Sequence, residues 1–357
     1  MKKNKLYFPV VIMLAFFFSC SKDNTPAPPP VPPKVTTGVF VLNQGSYGAN
    51  NTMLSYYDFT SATQTTDFFK KANGFGLGDT GSDFIIYGGK MYIVMNVSGY
   101  VAVANSITAK FIDTISFKNA AVNRGPENVV AAEGEVFVSS TVGTVAVIDT
   151  SSLAITKFIK VGSNPAQMVV AGDNLYVSNT GGFSAVFDST VSVIPLNSLT
   201  ESGKITVGMN PGSISTDNTG NIYVACTGNY GATAPSLVKV NINTNQVTKS
   251  VDSAFGTIRY YNSVLLTTGG YLGAANVGIF NPDNLVAVRP SFVTDETAIE
   301  NPYGLDVDPA TGDVYVGDAK DYVSSGEVFC FDKTGKKKFS FSVSPGISPI
   351  KTVLVQQ

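Results

Sequence analysis

One short strand pattern recurs through this chain and constrains its fold more than any other feature: Gly or Asn, a variable residue, an apolar residue, a central ring and then Val. It reads Val39-Phe40-Val41, Met91-Tyr92-Ile93, Val136-Phe137-Val138, Leu175-Tyr176-Val177, Ile222-Tyr223-Val224, Val264-Leu265-Leu266 and Val314-Tyr315-Val316. The central positions, 40, 92, 137, 176, 223, 265 and 315, lie 52, 45, 39, 47, 42 and 50 residues apart. A period in the forties with several strands per unit is the signature of a β-propeller.

Each repeat supplies three further strands. An inner strand often begins at a Pro turn, as at Gly125-Pro126, Asn164-Pro165, Asn210-Pro211 and Asn301-Pro302. A third strand ends in Asp, Asn or Pro, at Asp58, Asp149, Pro195, Asn281 and Asp332. An outer strand carries Lys and Thr, as in Lys157 to Lys160 and Lys336 to Phe341; edge lysines discourage pairing with other molecules. The ends fit together. Phe40 has no inner strand before it, and Ser348 to Val355 is an inner strand with no partner after it. The expectation is an all-β, seven-bladed β-propeller of four-stranded antiparallel blades, closed by pairing of the N- and C-terminal strands. A large β-sandwich or two smaller β-domains would explain neither the single period nor the matching ends.

Composition narrows the chemistry. Only 14% of the 357 residues are charged, while Gly (34), Phe (23) and Tyr (16) are abundant. That suits short strands and tight turns better than amphipathic helices. No internal run of 18 apolar residues marks a membrane-spanning helix. The chain has no His and no Trp. Missing His removes Ser-His-Asp and Cys-His catalysis and His-ligated metals; the two absences together argue against WD-type blades. Net charge is -2 and becomes -5 once Lys2, Lys3 and Lys5 leave with a cleaved leader. No basic block remains to meet phosphates, so nucleic acid is not an expected partner.

The leader itself is informative. Lys2, Lys3 and Lys5 precede a short apolar run, Leu6 to Phe18, followed by Ser19-Cys20. This resembles a bacterial lipoprotein signal, although Phe17 stands where the commonest form has Leu. The resemblance implies a signal peptide over 1–19, lipidation of Cys20 and a Pro-rich tether over 20–37. Polyproline segments extend by ~3 Å per residue, so the tether would hold the domain ~20–40 Å from its anchor. The domain itself is expected over 38–357.

In a propeller the loops after the second strands open on one face, with the segments leading into the inner strands. Three of these loops share a pattern: Gly45-Ser46-Tyr47-Gly48-Ala49 with Asn50 beside it, Gly228-Asn229-Tyr230-Gly231-Ala232, and Gly270-Tyr271-Leu272-Gly273-Ala274. Lys320-Asp321-Tyr322 and Gly182-Phe183 with Phe187 occupy two more. Gly permits sharp turns, and Tyr offers a rigid apolar ring with a polar tip. Several rings on one face make a ligand platform; turn chemistry copied along with the blades is the other reading. The candidate ligand-binding residues are Tyr47, Asn50, Phe183, Asn229, Tyr230, Tyr271 and Tyr322. Asp79, Asp83 and Glu127 fall near the expected channel mouth. Such acids serve as caps and salt links for the inner-strand turns, or as Ca²⁺ ligands or acid–base pairs. Asp308 reads as turn chemistry with Pro309. Cys226 and Cys330 fall in strands of different blades and read as buried free thiols, a disulfide being the alternative.

The segments Phe40 to Gly45, Leu54-Ser55-Tyr56-Tyr57-Asp58 and Leu77-Gly78-Asp79 together resemble a family of surface lipoproteins of the Bacteroidetes with YncE-like propellers. The Asn-Pro turns and the Leu175-Tyr176-Val177-Ser178-Asn179 strand are similar to YncE-like repeats in general. The resemblance covers residues 38–357. It includes BtuG-type proteins, which bind cobalamin outside the cell and pass it to a TonB-dependent outer-membrane transporter. It implies non-enzymatic capture of a ligand, a corrinoid first, by an outer-membrane lipoprotein facing outward, with periplasmic retention as the alternative. No cofactor and no metal are expected. The family supplies no ligand-contact signature that carries over residue by residue, so the candidate residues rest on loop position. Two other functions fit the fold: a surface-layer or adhesion protein binding protein or glycan, and a Ca²⁺-dependent lactonase using Asp79, Glu127 and Asn128.

Overall fold

A computed structural model of the chain describes residues 36–356 apart from 120, 121, 183, 185, 254, 270–275 and 290. The leader, Cys20 and the Pro-rich tether lie outside the described residues. The chain forms seven four-stranded sheets, each antiparallel, with strands in sequence order outward from the ring centre in six of them. The seven recurring segments are the second strands: Thr36–Asn43, Lys90–Met95, Glu135–Ser140, Asn174–Asn179, Asn221–Cys226, Val264–Gly269 and Val314–Asp318. The seventh inner strand, Pro349–Gln356, pairs with Thr36–Asn43 in register Phe40↔Val353, so the first blade is made from both ends of the chain.

The reason for a ring in every second strand lies between the blades. Phe40, Tyr92, Phe137, Tyr176, Tyr223 and Tyr315 are buried, as is Leu265 at the sixth position. The six rings each pack into the following blade. In the sixth blade the expected central position is corrected by one residue, because Leu265 faces back toward Tyr223 of the fifth blade and Leu266 takes the equivalent place against Leu305 and Val314 of the seventh. Tyr92 meets Val129, Val136 and Val138; Tyr223 meets Phe255, Ile258 and Leu265. Seven apolar clusters fill the seven junctions, and Val39, Val41 and Tyr315 share the one that closes the ring. Burying one such side chain contributes about 1.5–3 kcal/mol, so removing any one opens a junction on which both neighbouring blades depend.

Outer strands are the least buried. Phe111–Ser116, Ile155–Lys160 and Gln246–Asp252 are largely exposed, and the last two carry Lys. The first blade departs from this pattern. Its outer strand is only Thr63–Thr65, followed by the single described helix, Phe68–Asn73. The Asp67 side chain accepts from the Lys70 N–H at one end, and Gly74 caps the other in a left-handed conformation. Phe68 lies 5.4 Å from Phe40 and 5.2 Å from Tyr56, ring to ring, so the helix packs its aromatic side on the blade.

Candidate functional site

The antiparallel order puts two sets of connections on one face: the loops after the second strands and the segments that enter the inner strands. We call this the upper face. Here the channel through the ring opens.

The channel wall is built from one register position per blade. The third residues of the inner strands are Asp83, Asn128, Gln167, Ser213, Thr257, Gly304 and Lys351. Four of them bond the next blade. Asp83 Oδ2 accepts the Val129 N–H at 3.1 Å, and Asn128 Oδ1 the Met168 N–H at 2.9 Å. Gln167 Oε1 accepts from the Ile214 N–H at 3.4 Å, and Ser213 Oγ from the Ile258 N–H at 3.1 Å. Polar side chains here do structural work first, because a buried N–H left unpaired costs about 1–3 kcal/mol.

Two cations follow. Arg259 Nε and Lys351 Nζ share Asp306 Oδ1, at 3.4 and 3.0 Å. Asp306 Oδ2 accepts from the Thr352 N–H at 2.8 Å and the Thr352 hydroxyl at 3.1 Å. In the blade beside that of Lys351, burial pushes the Asp83 carboxyl above the usual carboxylate range, against the pull of the Lys351 and Arg259 charges. Burial, then the charge of Asp83, push Glu127 up to about 7. Glu127 Oε2 accepts from Asn96 Nδ2 at 2.7 Å.

Above this floor lies a cavity of about 580 Å³, lined among others by Gln167, Arg259, Lys351, Asn301, Tyr303 and Tyr322. That volume falls within the usual range for small-molecule sites. Tyr303 is the pivot of the rim. Its hydroxyl donates to Gln44 Oε1 of the first blade at 3.0 Å, and Tyr322 packs edge-on against its ring at 5.5 Å.

The residues singled out from sequence are distributed unevenly. Tyr322 lines the cavity and is 46% exposed. Tyr230 is 58% exposed; it lies 3.5 Å from Asn210 Nδ2 and packs edge-on against Phe187 of the preceding blade at 5.9 Å. Tyr47 projects from the face at 85% exposure, with Asn50 exposed beside it. Asn229 Oδ1 folds its own loop by accepting from the Gly231 and Thr233 N–H groups at 3.0 and 2.8 Å. Phe183 and Tyr271 lie outside the described residues. Asn50, Tyr230 and Tyr322 have left-handed backbones, at φ 57, 57 and 64, a conformation that non-glycine residues hold only where their surroundings enforce it.

Sequence reasoning missed Tyr303, Gln167, Arg259 and Lys351. Aligning the inner strands on their Pro or Gly starts would have put Gln167 and Lys351 at the third position and Tyr303 at the second. The other acids are spoken for. Asp79 Oδ1 accepts from the Gly48 N–H at 3.2 Å and the Thr80 hydroxyl at 2.9 Å. Asp308 caps its turn by accepting from the Ala310 N–H and the Thr311 hydroxyl, both at 2.9 Å. Among the described residues no group of three or more Cys, Asp or Glu side chains is placed to hold a metal ion. Cys226 and Cys330 are free and buried, and burial pushes each thiol up to about 12.

Several solved structures share the fold. A quinonprotein alcohol dehydrogenase-like protein from Bacteroides thetaiotaomicron superposes with a TM-score of 0.66 at 13% identity, over 90% of this chain and 79% of that one. Kuenenia stuttgartiensis hydrazine synthase gives 0.60 at 17% identity, over 71% and 76%. The computationally designed Ika8 protein gives 0.57 at 11% identity, over 87% and 88%. At these identities the likeness is one of fold. No curated protein matches the sequence. A family described as "Domain of unknown function (DUF5074)" matches residues 37–345. That span takes in the second strands of all seven blades, and the chain belongs to this family.

Proposed function

We propose that this protein captures a ligand at the upper mouth of its channel and performs no chemistry on it. The observation that carries this reading is the cavity of about 580 Å³ with a hydrogen-bonding floor and the Tyr303–Tyr322 pair at its rim. Cavities that pair a few placed polar groups with aromatic walls are the usual form of a binding site. Exposed rings on the surrounding loops, Tyr47 and Tyr230, extend the contact surface beyond the cavity.

The ligand class we assign is a corrinoid, on the family resemblance of the blades and on the fit of a large, amide-edged ring to a broad Tyr- and Asn-bearing face. The leader supports a lipid anchor at Cys20 in the outer membrane, with the domain outside the cell and a TonB-dependent transporter as the receiving partner. Calorimetric titration of the purified chain with cobalamin tests the reading. Binding tighter than micromolar that weakens in Tyr322→Ala supports capture of a corrinoid; no heat with cobalamin or its precursors rejects it. Cys20→Ala should move the protein from the membrane fraction to the soluble fraction.

A second reading, acid–base hydrolysis, draws on Glu127 titrating near neutrality beside Asp83. The other two residues of the lactonase reading are engaged elsewhere: Asp79 accepts from Gly48 and Thr80, and Asn128 bonds Asp83 and Met168. Calcium-dependent turnover of simple lactones, lost in Glu127→Gln, would favour it over capture.

A further inference from the structure

We infer that the group of the ligand reaching the cavity floor is anionic, a carboxylate or a phosphate, held by Gln167, Arg259 and Lys351. This rests on the capture reading and narrows it.

The argument comes from counting where hydrogen bonds go. Acceptors at the floor are largely consumed. Asp306 uses both oxygens on Arg259, Lys351 and Thr352. Gln167 Oε1 takes the Ser213 hydroxyl at 2.9 Å as well as the Ile214 N–H. Asn128 Oδ1 is spent on Met168. Asp83 accepts from the Phe84 and Val129 N–H groups and from Asn128 Nδ2.

Donors are in surplus. Arg259 spends Nε on Asp306 and Nη1 on the Ile258 carbonyl at 2.9 Å, and the rest of the guanidinium fork meets no acceptor among the described residues. Among the described residues Lys351 makes its direct contact with Asp306, though an ammonium carries three N–H donors. The Gln167 amide nitrogen has no acceptor among the described residues, because its oxygen does the structural bonding. All three side chains line the same cavity. A floor of unspent donors selects a ligand rich in acceptors. Among the described residues Asp306 is the one carboxylate in direct contact with the two cations; Asp83 acts on both at longer range, and burial pushes its carboxyl toward the neutral form, so the floor favours a charged ligand. Glu300, exposed at the rim, is the carboxylate an incoming anion would pass.

The test uses the full chain, titrated with inorganic phosphate and with citrate at an ionic strength held constant with sodium chloride. Heat of binding and unfolding temperature are both followed. The expected result is saturable binding of at least one of the two anions. Phosphate alone assigns a phosphate group, and citrate alone a carboxylate. Gln167→Glu keeps the oxygen that serves Ser213 and Ile214 and puts a negative charge where the amide donors were. It should raise the half-saturating concentration about tenfold or more. Lys351→Gln keeps a donor for Asp306 and should do the same, so the inference remains testable if either variant folds poorly. Absence of saturable binding by the wild type overturns the inference, as does wild-type anion binding in both variants. Cobalamin binding without any anion response leaves capture standing and removes this inference; anion binding without cobalamin binding does the reverse for the corrinoid.

Discussion

The two faces of the ring are built by different rules. On the lower face the turns between third and fourth strands repeat one device. Asp58 Oδ1 accepts from the Thr60 and Ser61 N–H groups, and Asn105 Oδ1 from Ile107 and Thr108. Asp149 does the same with Ser151 and Ser152, Asn241 with Asn243 and Thr244, and Asn281 with Asp283 and Asn284. On the upper face the loops between second and third strands run from three residues at 141–143 to ten at 180–189. They expose Tyr47, Val186, Tyr230 and Val323, apolar side chains that folding alone would bury. A turn that recurs in nearly every blade answers to the strand geometry common to all blades. A loop unlike its counterparts is released from that geometry and is available to a ligand.

The acids divide in the same way. Hydrogen bonds from the Ser61 and Ser152 N–H groups hold Asp58 and Asp149 below the usual carboxylate range. Their contribution is present above the unfolded-state pKa and is lost as pH falls through the folded value. Asp83 and Glu127, at the upper mouth, are pushed up by burial. Near neutral pH they oppose folding, and stability rises as pH falls through the folded value toward the unfolded one.

The sharpest attack on this contrast uses two glycines. A Cβ on Gly228, in an upper loop at φ +70, would sit 2.2 Å from the Thr233 carbonyl oxygen. Gly134, in a lower turn at φ +85, has nothing within 4 Å. Gly228→Ala should cost about 3 kcal/mol or more in urea denaturation, and Gly134→Ala about 1 kcal/mol. Equal costs would mean that the upper loops are no more tightly determined than the lower turns. Next in size is Glu127→Gln. Between pH 4.5 and about 7 the folded wild type binds the extra proton, so it loses stability as pH rises through that window. The variant should be more stable than wild type at pH 8 by an amount on the order of 1–3 kcal/mol, with little difference at pH 4. A pH-independent difference would remove the assigned cause. Smaller again is Tyr322→Ala, for which cobalamin affinity should fall about tenfold while the unfolding temperature holds. The smallest effect belongs to Asn241→Ala, which should lower stability by about 0.5–1 kcal/mol and leave affinity unchanged. An affinity change there would join the two faces functionally.

What could be read in the chain beforehand follows the same division. Phe40, Tyr92, Phe137, Tyr176, Tyr223 and Tyr315 announce the ring because one inter-blade geometry demands one residue type at one spacing. The unmatched ends at Phe40 and Val355 announced its closure. Tyr322 was found because topology alone puts its loop on the upper face. The channel wall was not found, since Asp83, Asn128, Gln167 and Ser213 share a register and a hydrogen-bonding task but no chemistry a sequence pattern could register. Tyr303 was passed over for a related reason: its partner Gln44 lies at the far end of the chain, and only ring closure makes them neighbours.

That closure has a consequence in time. Thr36–Asn43 is the first strand of the ring to be synthesised, and its inner edge is satisfied only by Pro349–Gln356, the last. About 300 residues separate them, so at ~5–20 residues per second the edge waits on the order of tens of seconds. Throughout that wait it is an open template for any passing strand. The blade that finishes the ring is therefore the one most exposed to mispairing during biogenesis. A chain lacking Pro349–Gln356, offered that strand as a synthetic peptide, would test whether the closing step can be timed apart from the folding of the other six blades.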